Sequence, residues 1–183
     1  MPTLWTVGHG TLEAPAFAAL VREPGIQLIV DVRRFPGSRR NPQFGSDQMA
    51  AWLPDAGVGY EWAPSLGGRR KASTESPNTG LRNPQFRAYA DYMATAEFRH
   101  GVACLLKTAA EQAVAVMCAE SLWWRCHRRL LSDHLVLVEG CDVEHVMHDG
   151  RRVNHPLTPG ARKVGDAVIY GGDIRLPLEG GDT

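Results

Sequence analysis

Residues Val114–Leu137 read VAVMCAESLWWRCHRRLLSDHLVL, and this stretch decides the fold. Val114 and Val116 open an apolar, β-branched run of the kind that forms a buried strand. The run breaks after Cys118 into a polar loop carrying Glu120, Arg125, Cys126, His127 and Arg128. Beyond it, Leu130, Leu131, His134, Leu135 and Val138 recur at helical spacing on one face. A strand that runs through a reactive loop into a helix is how open α/β sheets present chemistry, at the carboxyl ends of their strands.

Working outward, Ile26–Val32 (IQLIVDV) is a second near-continuous apolar run, and Thr3–Val7 is a first, shorter strand. Between them Glu13 and Pro15 open a helix through Val21, which Pro24-Gly25 ends. The right-handed crossover of such a unit brings His9 and Asp31 to one edge of the sheet. Downstream, Ser46–Leu53 reads as a short helix stopped by Pro54 and Gly57, and Val58–Trp62 as a third strand. Leu66–Gly80 lacks periodicity and reads as a functional loop. Asn83-Pro84 caps a helix through Met93, a second helical segment covers Glu97–Ala109, and Val143–Met147 is a last short strand. The pentapeptide RNPQF occurs at Arg40–Phe44 and again at Arg82–Phe86 without matching flanks, which marks a shared loop-to-helix device.

These elements define a single α/β domain over residues 1–150: a mostly parallel open sheet with helices on both faces, three-layered and Rossmann-like. Residues 151–183, with Pro156, Pro159 and Gly171-Gly172, form a C-terminal extension that is extended or hairpin-like and packs on the domain or trails from it.

Composition narrows the function. Lysine plus arginine balance aspartate plus glutamate at 20 each, so no global field draws the chain to nucleic acid or membrane. No apolar run approaches the ~20 residues of a membrane span, and the N-terminus lacks a secretory pattern, so a cytoplasmic location is expected. The basic residues are nevertheless mostly arginines in clusters: Arg33, Arg34, Arg39 and Arg40; Arg69 and Arg70; Arg125, Arg128 and Arg129. Guanidinium forks bind phosphate or carboxylate bidentately. Four cysteines are too few for a disulfide framework; Cys104, in a helical run, reads as a buried small hydrophobe, and Cys141 sits at a turn.

The strand ends collect His9, Asp31, Arg33, Cys118 and Glu120, to which the loop adds Arg125, Cys126, His127 and Arg128. Each has two readings. Asp31 either pairs with Arg33 or supplies a base, Glu120 either pairs with Arg128 or does the same, and His9 either bonds a turn or moves a proton. At the start of the following helix Cys126 meets free N–H groups, which favour a bound anion or a thiolate. From Cys118 to Arg125 is one residue more than a cysteine-phosphatase loop. Cys118, Cys126 and His127 are one ligand short of a structural zinc site, so no metal is expected. Trp123 and Trp124 either stack on a base or sugar or cover the sheet edge.

The chain resembles the bacterial and archaeal family of domain of unknown function number 488. The pieces that carry the resemblance are TVGHGT at Thr6–Thr11, DVRRFPGSRRNPQF at Asp31–Phe44 and LGGRR at Leu66–Arg70. FRAYADYM at Phe86–Met93 and MCAE with CHRRLLSDHL between Met117 and Leu135 complete it. The resemblance implies the α/β fold and names no reaction.

The leading expectation is therefore a hydrolase acting, without a cofactor, on a phosphate-bearing small molecule or nucleic acid at a glycosidic or N-glycosyl bond. Asp31, Glu120, His9 and His127 would be catalytic, and Arg33, Arg39, Arg69, Arg128, Trp123 and Trp124 would hold substrate. The alternatives are sulfur or phosphoryl transfer through Cys118 or Cys126, and a non-enzymatic module that binds anions or nucleic acid.

Overall fold

The computed structural model describes residues 3–171. Its strands are β1 (Thr3–Gly8), β2 (Leu28–Asp31), β3 (Gly59–Trp62), β4 (Val114–Cys118), β5 (Asp142–Val146), β6 (Arg152–Asn154), β7 (Ala161–Val164) and β8 (Ala167–Tyr170). Its helices are α1 (Ala14–Arg22), α2 (Ser46–Asp55), α3 (Pro84–Met93), α4 (Ala96–Ala109) and α5 (Arg128–Leu137).

Six strands form one sheet in the order β3-β2-β4-β1-β5-β6. Every pair is parallel except β5 with β6. Alternation along each strand divides the core in two. Leu4, Val30, Val114, Val116 and Val143 face α3, α4 and α5, while Val7, Ile29, Ala115, Met117 and Val146 face α1 and α2. Both faces are covered, which is why β2 and β4 are buried throughout and, apart from Asp31 at the end of β2, apolar. The architecture is the expected single α/β domain with a mostly parallel sheet.

β4 lies between β1 and β2, so the loops after three strands meet at one rim. The chain leaves β1 toward one face through α1 and leaves β4 toward the other through α5, making the β1–β4 junction a topological switch point. There Gly8 is opposite Cys118. A Cβ on Gly8 would stand 1.9 Å from the Glu120 carbonyl oxygen, so only glycine lets the loop after β4 fold down on the end of β1.

Several sequence expectations are corrected in detail. Pro54 does not stop α2 but sits inside its last turn, where the carbonyl it deprives, on exposed Ala50, faces water. Cys104 is exposed, because α4 buries Phe98, Val102 and Leu105 and position 104 lies off that stripe. The two RNPQF copies diverge: Asn83 caps α3 by accepting the Gln85 N–H at 2.8 Å, whereas Asn41 makes no such cap and its copy forms one 3-10 turn. In the C-terminal extension, β6 joins the main sheet and β7–β8 form a hairpin that inserts Val168 and Tyr170 into the core. The part of that extension from residue 172 on lies outside the described residues. No helix among the described residues is long and apolar enough to cross a membrane.

Candidate active site

A cleft of about 740 Å³ opens over the switch point. Its lining includes Arg33, Arg34, Arg69 and Arg125 above, with Cys118, Cys126 and His127 below, and His9 and Glu120 at the sides.

The wall toward α1 and α2 is a closed hydrogen-bond network. Asp31 is fully buried, and Arg33 grips it from Nε at 2.8 Å and from Nη2 at 2.6 Å. The Tyr60 hydroxyl donates to the same carboxylate at 2.7 Å. Burial, then the Asp31 hydrogen bond and charge, push the Tyr60 phenol well up, so it keeps its proton. His9 Nδ1 donates to the Gly10 carbonyl at 2.8 Å, which leaves Nε2 to accept from Arg33 Nη1 at 3.1 Å. Burial brings the His9 pKa down to about 4, and the Arg33 charge adds to the fall. His9 is thus a neutral ring with both nitrogens engaged, stacked on Phe44 at 4.2 Å. Of the two readings of Asp31, the geometry is that of the pair with Arg33; the carboxylate presents no free oxygen to the cleft.

The floor toward α5 is different in kind. Cys118 ends β4, Cys126 closes the loop, and their sulfurs are 2.9 Å apart. The Arg128 N–H, in the first turn of α5, points at Cys126 Sγ from 3.5 Å, and His127 Nδ1 is 3.6 Å from the same sulfur. Burial alone would raise the Cys126 pKa. The Cys118 hydrogen bond, the Arg128 charge and the Arg128 N–H outweigh it and bring the thiol down to about 6. Cys118 moves the other way, to about 12, because of its bond to Cys126 and its burial. The surroundings thus drive the two thiols in opposite directions, and Cys126 is the one that ionises more readily.

Beneath this floor Arg128 is only 1% exposed. Its guanidinium meets the Glu120 backbone carbonyl and, at 3.3 Å, Thr6 Oγ1. No carboxylate pairs with it directly among the described residues. The expected partner, the Glu120 side chain, instead caps its own loop by accepting the Leu122 N–H at 3.1 Å. From Thr6 a buried chain continues: Thr6 Oγ1 to His145 Nδ1 at 2.6 Å, His145 Nε2 to His155 Nδ1 at 2.9 Å, and His155 Nε2 to Asp133 at 2.9 Å. Asp133 also accepts from the Thr158 N–H at 2.9 Å and the Tyr170 hydroxyl at 2.8 Å. Because Asp133 only accepts, each histidine donates toward it through Nε2 and accepts through Nδ1. Burial, with the neighbouring His155 ring and the Arg128 charge, holds the His145 pKa down at about 2.

Some expected substrate contacts are redirected. Arg128 is an internal cation under the floor and does not line the cleft. Arg39 is likewise outside the lining. Trp123 packs face to face on His145 at 4.2 Å, and exposed Trp124 stands against Trp123, so neither reaches the cleft. Arg69 does line it, in a left-handed conformation at φ 57°. The Gly67-Gly68-Arg69-Arg70 segment is held by Arg70, which bonds the Gly67 and Pro64 carbonyls at 2.9 Å and stacks 3.6 Å above Tyr92. A held non-glycine residue at positive φ at a cleft mouth is stored strain of the kind found at ligand clamps. Arg34 and Arg69 flank Phe35, which is 61% exposed, at 5.5 and 6.0 Å from its ring.

Sequence reasoning missed Tyr60, Thr6, Asp133, His145, His155 and Tyr170. One signal was present: Ser132, Asp133 and His134 interrupt the apolar face of α5 yet are buried, and buried polar groups require partners.

Fold and site together define a class: an open, mostly parallel α/β domain with an arginine-rimmed, thiol-floored cleft at its switch point. The chain belongs to the family described as domain of unknown function DUF488, whose model matches residues 13–135, from the residue before α1 into α5. No curated protein and no solved structure matches it.

Proposed function

We propose that this chain is a cysteine-dependent transferase that carries sulfur on Cys126 and works on phosphate-bearing ligands held by the rim arginines. The observation that carries the reading is the Cys126 sulfur, brought down to about 6 and placed in a cleft that Arg34, Arg69 and Arg125 also line. A thiolate is the nucleophilic form of cysteine. The guanidiniums of Arg34, which also donates to the Arg69 carbonyl at 2.9 Å, and of Arg69 beside exposed Phe35 suit a ligand with a phosphate and a flat ring.

Sulfur transfer is favoured over phosphoryl transfer by what surrounds the nucleophile. A phosphoryl oxyanion needs a cradle of donors, but the polar neighbours of Cys126 Sγ are one backbone N–H, a second thiol and an imidazole. With thiosulfate as donor, Cys126 thiolate attacks the outer sulfur, the S–S bond breaks, and sulfite leaves with the electron pair. The persulfide then gives its terminal sulfur to an acceptor thiolate, and Cys126 thiolate is regenerated. N-glycosyl hydrolysis is supported less well, because it wants two available carboxylates and Asp31 is committed to Arg33 and Tyr60.

The test is incubation with thiosulfate followed by mass spectrometry and by cyanide capture as thiocyanate. The expected result is one added sulfur on the Cys126 peptide and thiocyanate release that Cys126→Ser abolishes. Turnover of an aryl phosphate that depends on Cys126, with no persulfide formed, would move the reading to phosphoryl transfer.

A further inference from the structure

Cys118 has no part in the transfer step beyond its hydrogen bond, yet its sulfur is 2.9 Å from Cys126 Sγ, and both line the cleft. The remaining cysteines are elsewhere: Cys104 is exposed on α4, and Cys141 is buried beside α5. The cleft thus contains a matched pair, one sulfur at the end of β4 and the other at the entry to α5, eight residues apart in sequence. Between them runs the loop that carries Glu120 and Arg125 into the site.

We infer that Cys118 and Cys126 form a peroxide-oxidisable dithiol, with Cys118 as the resolving thiol, whose disulfide is a reversible off-state of the site. The co-reactant is a hydroperoxide. The Cys126 thiolate attacks its distal oxygen, the O–O bond breaks, and the alcohol or water leaves after taking a proton, so that Cys126 becomes a sulfenic acid. The Cys118 sulfur, giving up its proton, attacks the Cys126 sulfur and displaces the hydroxyl as water, forming the disulfide. The hydroperoxide is reduced by two electrons, and the two thiols supply them. An external dithiol reverses the step by exchange.

The position of the pair explains why such a step ends at the disulfide. Cys126 lines the cleft yet is only 4% exposed, so bulk solvent wets it poorly. Its second thiol is already within hydrogen-bond distance, so a sulfenic acid formed there meets Cys118 before a second oxidant. The disulfide would also remove the anion that the Arg128 N–H faces.

The inference rests on Cys126 being the reactive sulfur and is separable from the sulfur-transfer reading. The experiment exposes the full chain, carrying Cys104→Ser, to stoichiometric hydrogen peroxide and then to non-reducing peptide mass spectrometry. The expected outcome is loss of two thiols per chain and a Cys118–Cys126 linked peptide that dithiothreitol releases. In a Cys118→Ser chain the expected product is a Cys126 sulfenic acid trapped by dimedone, which proceeds to sulfinic acid with more peroxide. Should that variant fail to fold, the first chain still decides by its linked peptide and by an oxidation rate at least about tenfold above that of free cysteine. Peroxide that leaves Cys118 and Cys126 reduced, or takes Cys126 straight to sulfinic acid with Cys118 present, would overturn the inference. A disulfide without any persulfide from thiosulfate would leave the inference standing and remove the transfer reading; the reverse result would do the opposite.

Discussion

Arg128 and Asp133 stand at the two ends of one buried run of four hydrogen bonds, through Thr6, His145 and His155. Every bond donates toward the carboxylate, so the run answers the charge of a buried cation that has no direct acidic partner among the described residues. Asp133→Asn leaves that cation unanswered. The expected effects are a stability loss of about 3 kcal/mol or more in denaturant melts and a Cys126 alkylation midpoint displaced upward, because Arg128 is then held less firmly under the thiolate. Unchanged alkylation in a folded variant would separate the chain from the site.

Asp31 belongs to the framework of the wall. Asp31→Asn breaks a buried pair and is expected to cost about 3–5 kcal/mol, measured by urea denaturation. In the folded fraction the rate of Cys126 alkylation should be unchanged. A catalytic base would show the opposite pattern, full stability with lost turnover.

The buried histidines set the acid limit of stability. His9 and His145 are held neutral at about 4 and about 2 in the folded chain. Unfolded histidine takes a proton near its ordinary 6.5, so the unfolded state binds more protons below that value. Their contribution is fully present above pH 6.5 and is lost as pH falls through the two folded values. Thermal melts should fall steadily below pH 6.5, and His9→Asn should make that slope shallower.

Arg69 holds a left-handed backbone conformation that glycine adopts freely. Arg69→Gly should raise the urea midpoint by the equivalent of about 1 kcal/mol with an unchanged m-value, while weakening nucleotide-monophosphate binding measured by calorimetry. A variant that binds as well as the parent would take Arg69 out of the ligand site.

The fold was legible where strands are covered on both faces, because β2, up to Asp31, and β4 then read as apolar runs. β6 was not legible: Arg152, Val153 and Asn154 form a short, polar edge strand with no periodicity to read. The site was half legible for a related reason. Strand order brings His9, Asp31, Cys118 and Cys126 to one rim, and strand ends can be read from sequence. Which of them stay open to a ligand is decided by hydrogen bonds that sequence does not display: Arg33 and, from β3, Tyr60 close Asp31, while Arg33 and the Gly10 carbonyl close His9. Arg128 looked like a phosphate ligand because its charge is visible and its burial is not.

The transfer chemistry requires Cys126 to be a thiolate at neutral pH. The direct measurement is the rate of iodoacetamide labelling of the Cys126 peptide as a function of pH, in a Cys104→Ser chain. The expected midpoint is near 6. A midpoint at or above that of a free thiol, near 8.5, would contradict it.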